Sequence, residues 1–126
     1  VLTTPFGMAL VASTLAAGGQ VPAPVLIKGM PSELTTRPPQ PVPAPVTSAL
    51  RAMMREVVTQ GSAQALAGLG DLHGKTGTAE YSATASHGWF VGFRGDLAFA
   101  TLVVDAGSSG PALDVSGRFL TALGPA

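Results

Sequence analysis

The hydrophobic pattern changes character twice along the chain. From Phe6 to Ala17 it is apolar almost all round, interrupted by Ser13 and Thr14. Thr4-Pro5 places a capping hydroxyl before a proline at the first helical position, and Gly18-Gly19 supplies a stop. The pattern predicts a helix from Pro5 to about Ala17, buried on more than one face. Val25-Leu26-Ile27 reads as a short strand, completing a segment over residues 1–29. Residues 30–45 are different: Pro31, Pro38, Pro39, Pro41, Pro43 and Pro45 exclude a helix and a central strand. This is an extended loop, either a surface crossing or a ligand for a proline-binding module. Val46 to Gln60 is amphipathic, with Val46, Leu50, Met53, Met54, Val57 and Val58 on one stripe. Gly61 ends it, with room for one more turn over Ser62 to Leu66.

The second half reads as strands. Leu72 to Tyr81, His87 to Arg94 and Leu97 to Asp105 are three runs of strand type, the last two joined by the two-residue turn Gly95-Asp96. Leu97 to Asp105 is apolar on both faces and needs cover on both. Pro111 opens a final helix carrying Leu113, Val115, Phe119, Leu120 and Leu123, stopped by Gly124-Pro125. The predicted order over residues 70–105 and 110–123 is an antiparallel sheet and a terminal helix. With the earlier helices this is an α+β fold, an antiparallel sheet packed by helices.

Composition narrows the picture. The 126 residues are 46% hydrophobic and 11% charged, against about a quarter charged in an ordinary globular domain. Part of this surface is therefore expected to be covered. Net charge is +0, which gives no electrostatic basis for binding nucleic acid. The chain has no cysteine, so it forms no disulfide and no Cys-ligated zinc site. No apolar run reaches the roughly 18 residues that span a bilayer. The first residue is Val1, and we read the chain as a piece of a longer protein, with any export signal upstream.

The chemistry concentrates in Gly74-Lys75-Thr76-Gly77-Thr78-Ala79-Glu80. Gly-Lys-Thr evokes a phosphate loop, but that motif needs a glycine at position 69, which is Leu, between Gly68 and Gly70. A phosphate loop also leads into a helix, and here the residues after it are strand formers. Read singly, Lys75 is a solvated strand lysine, Thr76 and Thr78 are strand formers, and Gly77 marks a bulge. His73 and His87 are read as structural. Trp89, Phe90 and Phe93 are read as sheet core.

Taken together the segments carry a resemblance. Lys-Thr-Gly on a strand is similar to the third motif of the penicillin-recognising serine transferases and hydrolases. The order Thr3-Thr-Pro-Phe-Gly-Met-Ala9, Arg51-Ala-Met-Met-Arg-Glu-Val-Val58, Gly61-Ser-Ala63, Gly74 to Glu80 and His87-Gly-Trp-Phe-Val-Gly-Phe93 resembles the C-terminal part of a class B penicillin-binding protein, a peptidoglycan D,D-transpeptidase. The match fades in the proline-rich loop.

That resemblance implies acyl transfer through a serine, with peptidoglycan stem peptide as substrate and β-lactams as acylating ligands. It implies no cofactor, no metal and no nucleic acid. Lys75 and Thr78 take catalytic roles, the first as a cation biasing proton transfer, the second through a backbone N–H in the oxyanion hole. Thr76 and Gly77 bind substrate, by a hydroxyl on its carboxylate and by a bare backbone it lies against. The family's Ser-x-x-Lys and Ser-x-Asn motifs are absent from this sequence, which has no asparagine at all. The nucleophile is therefore expected in an N-terminal part of the same domain, which becomes an obligate packing partner, and the chain alone is expected to be inactive. The implied location is the extracytoplasmic face of a bacterial membrane. Two alternatives stay open: a β-lactamase or β-lactam sensor of the same fold, and a scaffold that keeps the fold without the chemistry.

Overall fold

The computed structural model of the chain describes residues 2–30 and 39–125. The elements are α1 (Pro5–Ala16), α2 (Ala44–Thr59), a 3₁₀ turn (Gln64–Leu66), β1 (His73–Glu80), β2 (Ser86–Arg94), β3 (Leu97–Val103) and α3 (Gly110–Leu123). The strands form one antiparallel sheet in the order β1-β2-β3. A two-residue turn joins β2 and β3, with Gly95 at φ 56°. That positive φ is what a tight hairpin needs and glycine supplies.

Side chains alternate across a strand, and residues paired between antiparallel neighbours share a face. The register pairs Lys75 with Val91 and Gly77 with Trp89, and these continue onto Ala100 and Leu102 of β3. The other face carries Gly74, Thr76 and Thr78 opposite Gly92, Phe90 and Gly88, then Phe99, Thr101 and Val103. α1 packs on the first face, where Leu15 meets Met54, Phe93 and Ala98. α3 packs on the second, where Ala112 and Leu120 join Phe90, Phe99, Val58 and Leu72. β3, apolar on both faces, is thus covered on both, by α1 and by α3. α2 lies against β1 and sends Met54 into one core cluster and Val58 into the other.

Two arginines fasten these layers. Arg51 Nη1 donates to the last carbonyls of α1, Leu15 O at 2.9 Å and Ala16 O at 3.0 Å. Its guanidinium also lies 5.0 Å from the centroid of the Phe93 ring. A cation on a helix C-terminus and on an aromatic face is favourable on both counts. Arg55 Nη1 donates to Leu72 O at 2.8 Å, holding α2 to the entry of β1.

The structure corrects three expectations. Val25-Leu26-Ile27 is not a strand: Val25 carries no regular structure and Leu26-Ile27 form a bend, with Leu26 87% exposed. α2 begins at Ala44 and not at Val46, with Pro45 in its first turn, where the missing N–H costs nothing. α3 buries its small residues Ala112, Ser116 and Gly117 with Leu120, and leaves Val115, Phe119 and Leu123 exposed. The helix comes so close that a Cβ on Gly117 would sit 2.8 Å from Leu66 Cδ2. The expected proline-rich loop lies outside the described residues over 31–38; the described part, Pro39 to Pro43, carries no regular structure.

Candidate active site

β1 is an edge strand, so half of its backbone groups face away from the sheet. In an antiparallel ladder a residue directs both its N–H and its C=O to one side, alternating along the strand. Leu72 O accepts from Arg55 on α2, and Thr76 O accepts from Lys75 Nζ at 2.6 Å, both on the side away from β2. His73 O faces β2, 2.3 Å from where a Cβ on Gly92 would stand. The outward set therefore includes Thr76 and Thr78. Their N–H groups line the open edge, where an extended ligand can pair with them.

The four candidate residues meet at this edge but not on one face. Lys75 is exposed on the Trp89 face, yet its ammonium folds over the edge onto Thr76 O. Thr76 lies on the Phe90 face and is only 9% exposed. Its hydroxyl is 2.7 Å from Ser62 Oγ. Thr78 is exposed on the Thr76 face, one outward position further on.

Gly77 separates two explanations of a glycine. Three other strand glycines are demanded by packing. A Cβ on Gly74 would lie 2.4 Å from Phe90 Cζ, one on Gly88 2.2 Å from Ser108 O, and one on Gly92 2.3 Å from His73 O. At Gly77 the nearest atom is Trp89 Cβ at 3.4 Å, an ordinary contact, and φ lies outside the left-handed region. The fold would accept a side chain there. No bulge interrupts the pairing, because Gly77 sits opposite Trp89 in an unbroken register.

A cavity of about 750 Å³ opens between α1, α2 and this part of the sheet. Met8, Val11, Met53 and Trp89 supply apolar wall, with Lys75 and Thr76 at its polar margin. Trp89, expected in the core, is half-buried here, whereas Phe90 and Phe93 are fully buried. Met53 and Val11 are 54% and 50% exposed. Leu50, Met53, Met54 and Val57 of the α2 stripe line this cavity, and all but Met53 also reach a core cluster.

The histidines are held by structure. His73 is buried and stacked on Phe93 with centroids 4.6 Å apart. His87 Nδ1 accepts from the Asp105 N–H at 3.2 Å, which puts the proton of the neutral ring on Nε2. No acid neighbours His87 in sequence, but the fold brings Asp105 Oδ1 to 4.0 Å. Tyr81 stacks on His87 and donates its hydroxyl to Asp105. That hydrogen bond, ahead of desolvation and the carboxylate charge, raises the Tyr81 pKa above its ordinary value.

Sequence reasoning missed the Ser62–Thr76 pair and the Tyr81–His87–Asp105 group. Both join residues distant in the chain. Only the glycine stop before Ser62 marks the first of them.

The architecture is that of a known class. The penicillin binding protein transpeptidase domain model matches residues 1–122, and the chain belongs to that family. Among solved structures the chain is similar to penicillin-binding protein A from M. tuberculosis, solved as an imipenem acyl-enzyme complex. The TM-score is 0.73 at 22% identity, over 95% of this chain and 31% of that one. The chain thus spans under a third of that relative's length. A comparison with curated protein sequences finds no match.

Proposed function

We propose that this chain forms the carboxylate-binding wall of the active site of a class B penicillin-binding protein, a D,D-transpeptidase that cross-links peptidoglycan stem peptides and is acylated by β-lactams. The observation that carries the proposal is the open edge of β1 around Gly77. There the fold leaves room for a side chain that the sequence does not supply, beside an ammonium, a hydroxyl and two outward N–H groups.

The roles follow from the groups. The substrate lies along β1 as an added strand, against the bare backbone of Gly77. Lys75 brings an ammonium to the edge, which draws the substrate carboxylate and favours proton movement toward the leaving group. To do so its ammonium leaves Thr76 O, a short swing for a flexible side chain. The Thr76 hydroxyl donates to the carboxylate. The Thr78 N–H donates to the oxygen that becomes negative when the acyl carbonyl is attacked. One such donor contributes about 3–4 kcal/mol, or a factor of about 10²–10³ in rate.

The nucleophilic serine and its base belong to the rest of the domain, outside these residues. In this reading the chain is the C-terminal part of that domain, is inactive alone, and works on the outer face of a bacterial membrane. Labelling of the full-length protein with a fluorescent penicillin tests the proposal. Wild type labels; Lys75→Ala and Thr76→Val lose most labelling. Unchanged labelling of both variants sinks the site assignment. Rapid turnover of β-lactam points to the β-lactamase alternative, and failure of the wild type to label points to a scaffold.

A further inference from the structure

Thr76 is held at two points. Its carbonyl accepts from Lys75 Nζ, and its hydroxyl is 2.7 Å from Ser62 Oγ. Ser62 has a fixed place. Gly61 before it is pressed against the last turn of α2, where a Cβ would lie 2.9 Å from Val57 Cα. Ala63 after it is fully buried in the main core cluster and donates its N–H to Val57 O at 3.0 Å. The hydroxyl of Ser62 thus reaches β1 from a rigid corner.

Each hydroxyl has one proton to give and lone pairs to receive. If Thr76 gives its proton to Ser62, it has none for a ligand. If Ser62 gives its proton to Thr76, the Thr76 proton is free to point at the open edge. An anion on that edge selects the second arrangement, a chain running from Ser62 O–H through Thr76 O–H to the anion. Hydrogen bonds in such a chain strengthen one another. The same bond also fixes which substituent of the Thr76 side chain, hydroxyl or methyl, faces Ser62.

We infer that Ser62 is a positioning residue for the Thr76 hydroxyl, setting its rotamer and supplying the proton that lets it donate to the substrate carboxylate. This rests on Thr76 being the carboxylate-binding hydroxyl. Ser62 does not touch the reacting atoms. Its effect belongs to ligands that carry a free carboxylate.

The test is the acylation rate constant of the full-length protein with a penicillin and with its carboxylate methyl ester, in Ser62→Ala, Ser62→Thr, Thr76→Val and the Ser62→Ala/Thr76→Val double variant. One neutral hydrogen bond corresponds to about a 3- to 10-fold slowing in Ser62→Ala. Ser62→Thr restores the rate, the ester reacts equally with wild type and Ser62→Ala, and the double variant is no slower than Thr76→Val. The saturating amount of label per protein counts folded active sites and separates a slower site from a lost one. A normal rate in Ser62→Ala, with Thr76→Val impaired, overturns the inference alone. Additive losses in the double variant overturn it as well, because Ser62 would then act elsewhere. A normal rate in Thr76→Val overturns the underlying reading of Thr76.

Discussion

Gly74 and Gly77 stand three residues apart on β1, and an added methyl group has opposite consequences at the two. At Gly74 the new carbon would lie 2.4 and 2.5 Å from two carbons of the Phe90 ring, which is fully buried. Carbon atoms rest at about 3.5–4.0 Å, so the ring must move by about 1 Å in a packed core. Overpacking of that kind costs about 1–3 kcal/mol. At Gly77 the nearest atom is 3.4 Å away and the backbone is ordinary strand. Gly77→Ala is therefore neutral, or stabilising by about 0.4–1 kcal/mol through the unfolded chain. Its cost falls on function, because the methyl group fills the space in which the substrate backbone lies. A loss of about 1.4–3 kcal/mol in the transition state is a 10- to 150-fold slower acylation. Guanidinium unfolding and the time course of fluorescent-penicillin labelling, both on the full-length protein, read the two effects separately. Gly74→Ala is expected to be less stable, and Gly77→Ala to be stable but slow. If Gly77→Ala is as destabilised as Gly74→Ala, the space inferred at β1 is not there. If it is stable and labels at the wild-type rate, the glycine is not kept for substrate.

Other outcomes follow from the same contacts. Arg51→Ala removes a guanidinium from two carbonyls at the end of α1 and from the Phe93 ring; it should lower stability by about 1.5–3 kcal/mol in chemical unfolding, and Arg51→Lys should recover only part. Phe90→Ala, at a fully buried position, should cost about 3–5 kcal/mol. Tyr81 titrates above its ordinary pKa because the neutral hydroxyl donates to Asp105. The folded state therefore holds this proton more tightly than the unfolded one. Its contribution is complete below the unfolded value of about 10 and is lost as pH rises through the folded pKa. Absorbance titration at alkaline pH should show Asp105→Asn bringing the Tyr81 midpoint down; an unmoved midpoint contradicts the hydrogen bond.

Much of the fold is written in local signals. Thr4-Pro5 and Gly18-Gly19 mark α1, and the Thr4 hydroxyl does accept from the Gly7 N–H at 3.1 Å. Gly95-Asp96 marks the hairpin because only a residue tolerant of positive φ fits that turn. The apolar faces of β3 foretell helices on both sides. What local pattern does not carry is which apolar face a helix turns inward. On α3 the bulky stripe of Val115 and Phe119 stays outside, since close approach to Leu66 selects the small residues. Val25 to Ile27 has strand composition but no partner strand among the described residues, and composition without pairing makes no strand. At the candidate site, the lysine, threonine and glycine are legible as a tripeptide. Their split across two faces of an edge strand follows from register. Ser62 and Asp105 enter only through contacts 14 and 18 residues apart in the chain.

The most direct test of the central claim is a crystal structure of the full-length protein acylated by a β-lactam. In the proposed reading the ligand carboxylate lies about 3 Å from Thr76 Oγ1 and the acyl carbonyl oxygen about 3 Å from the Thr78 nitrogen. The ligand backbone lies over Gly77, and Ser62 remains bonded to Thr76. An acyl group whose carboxylate points away from β1, with the Thr76–Thr78 edge unoccupied, contradicts it.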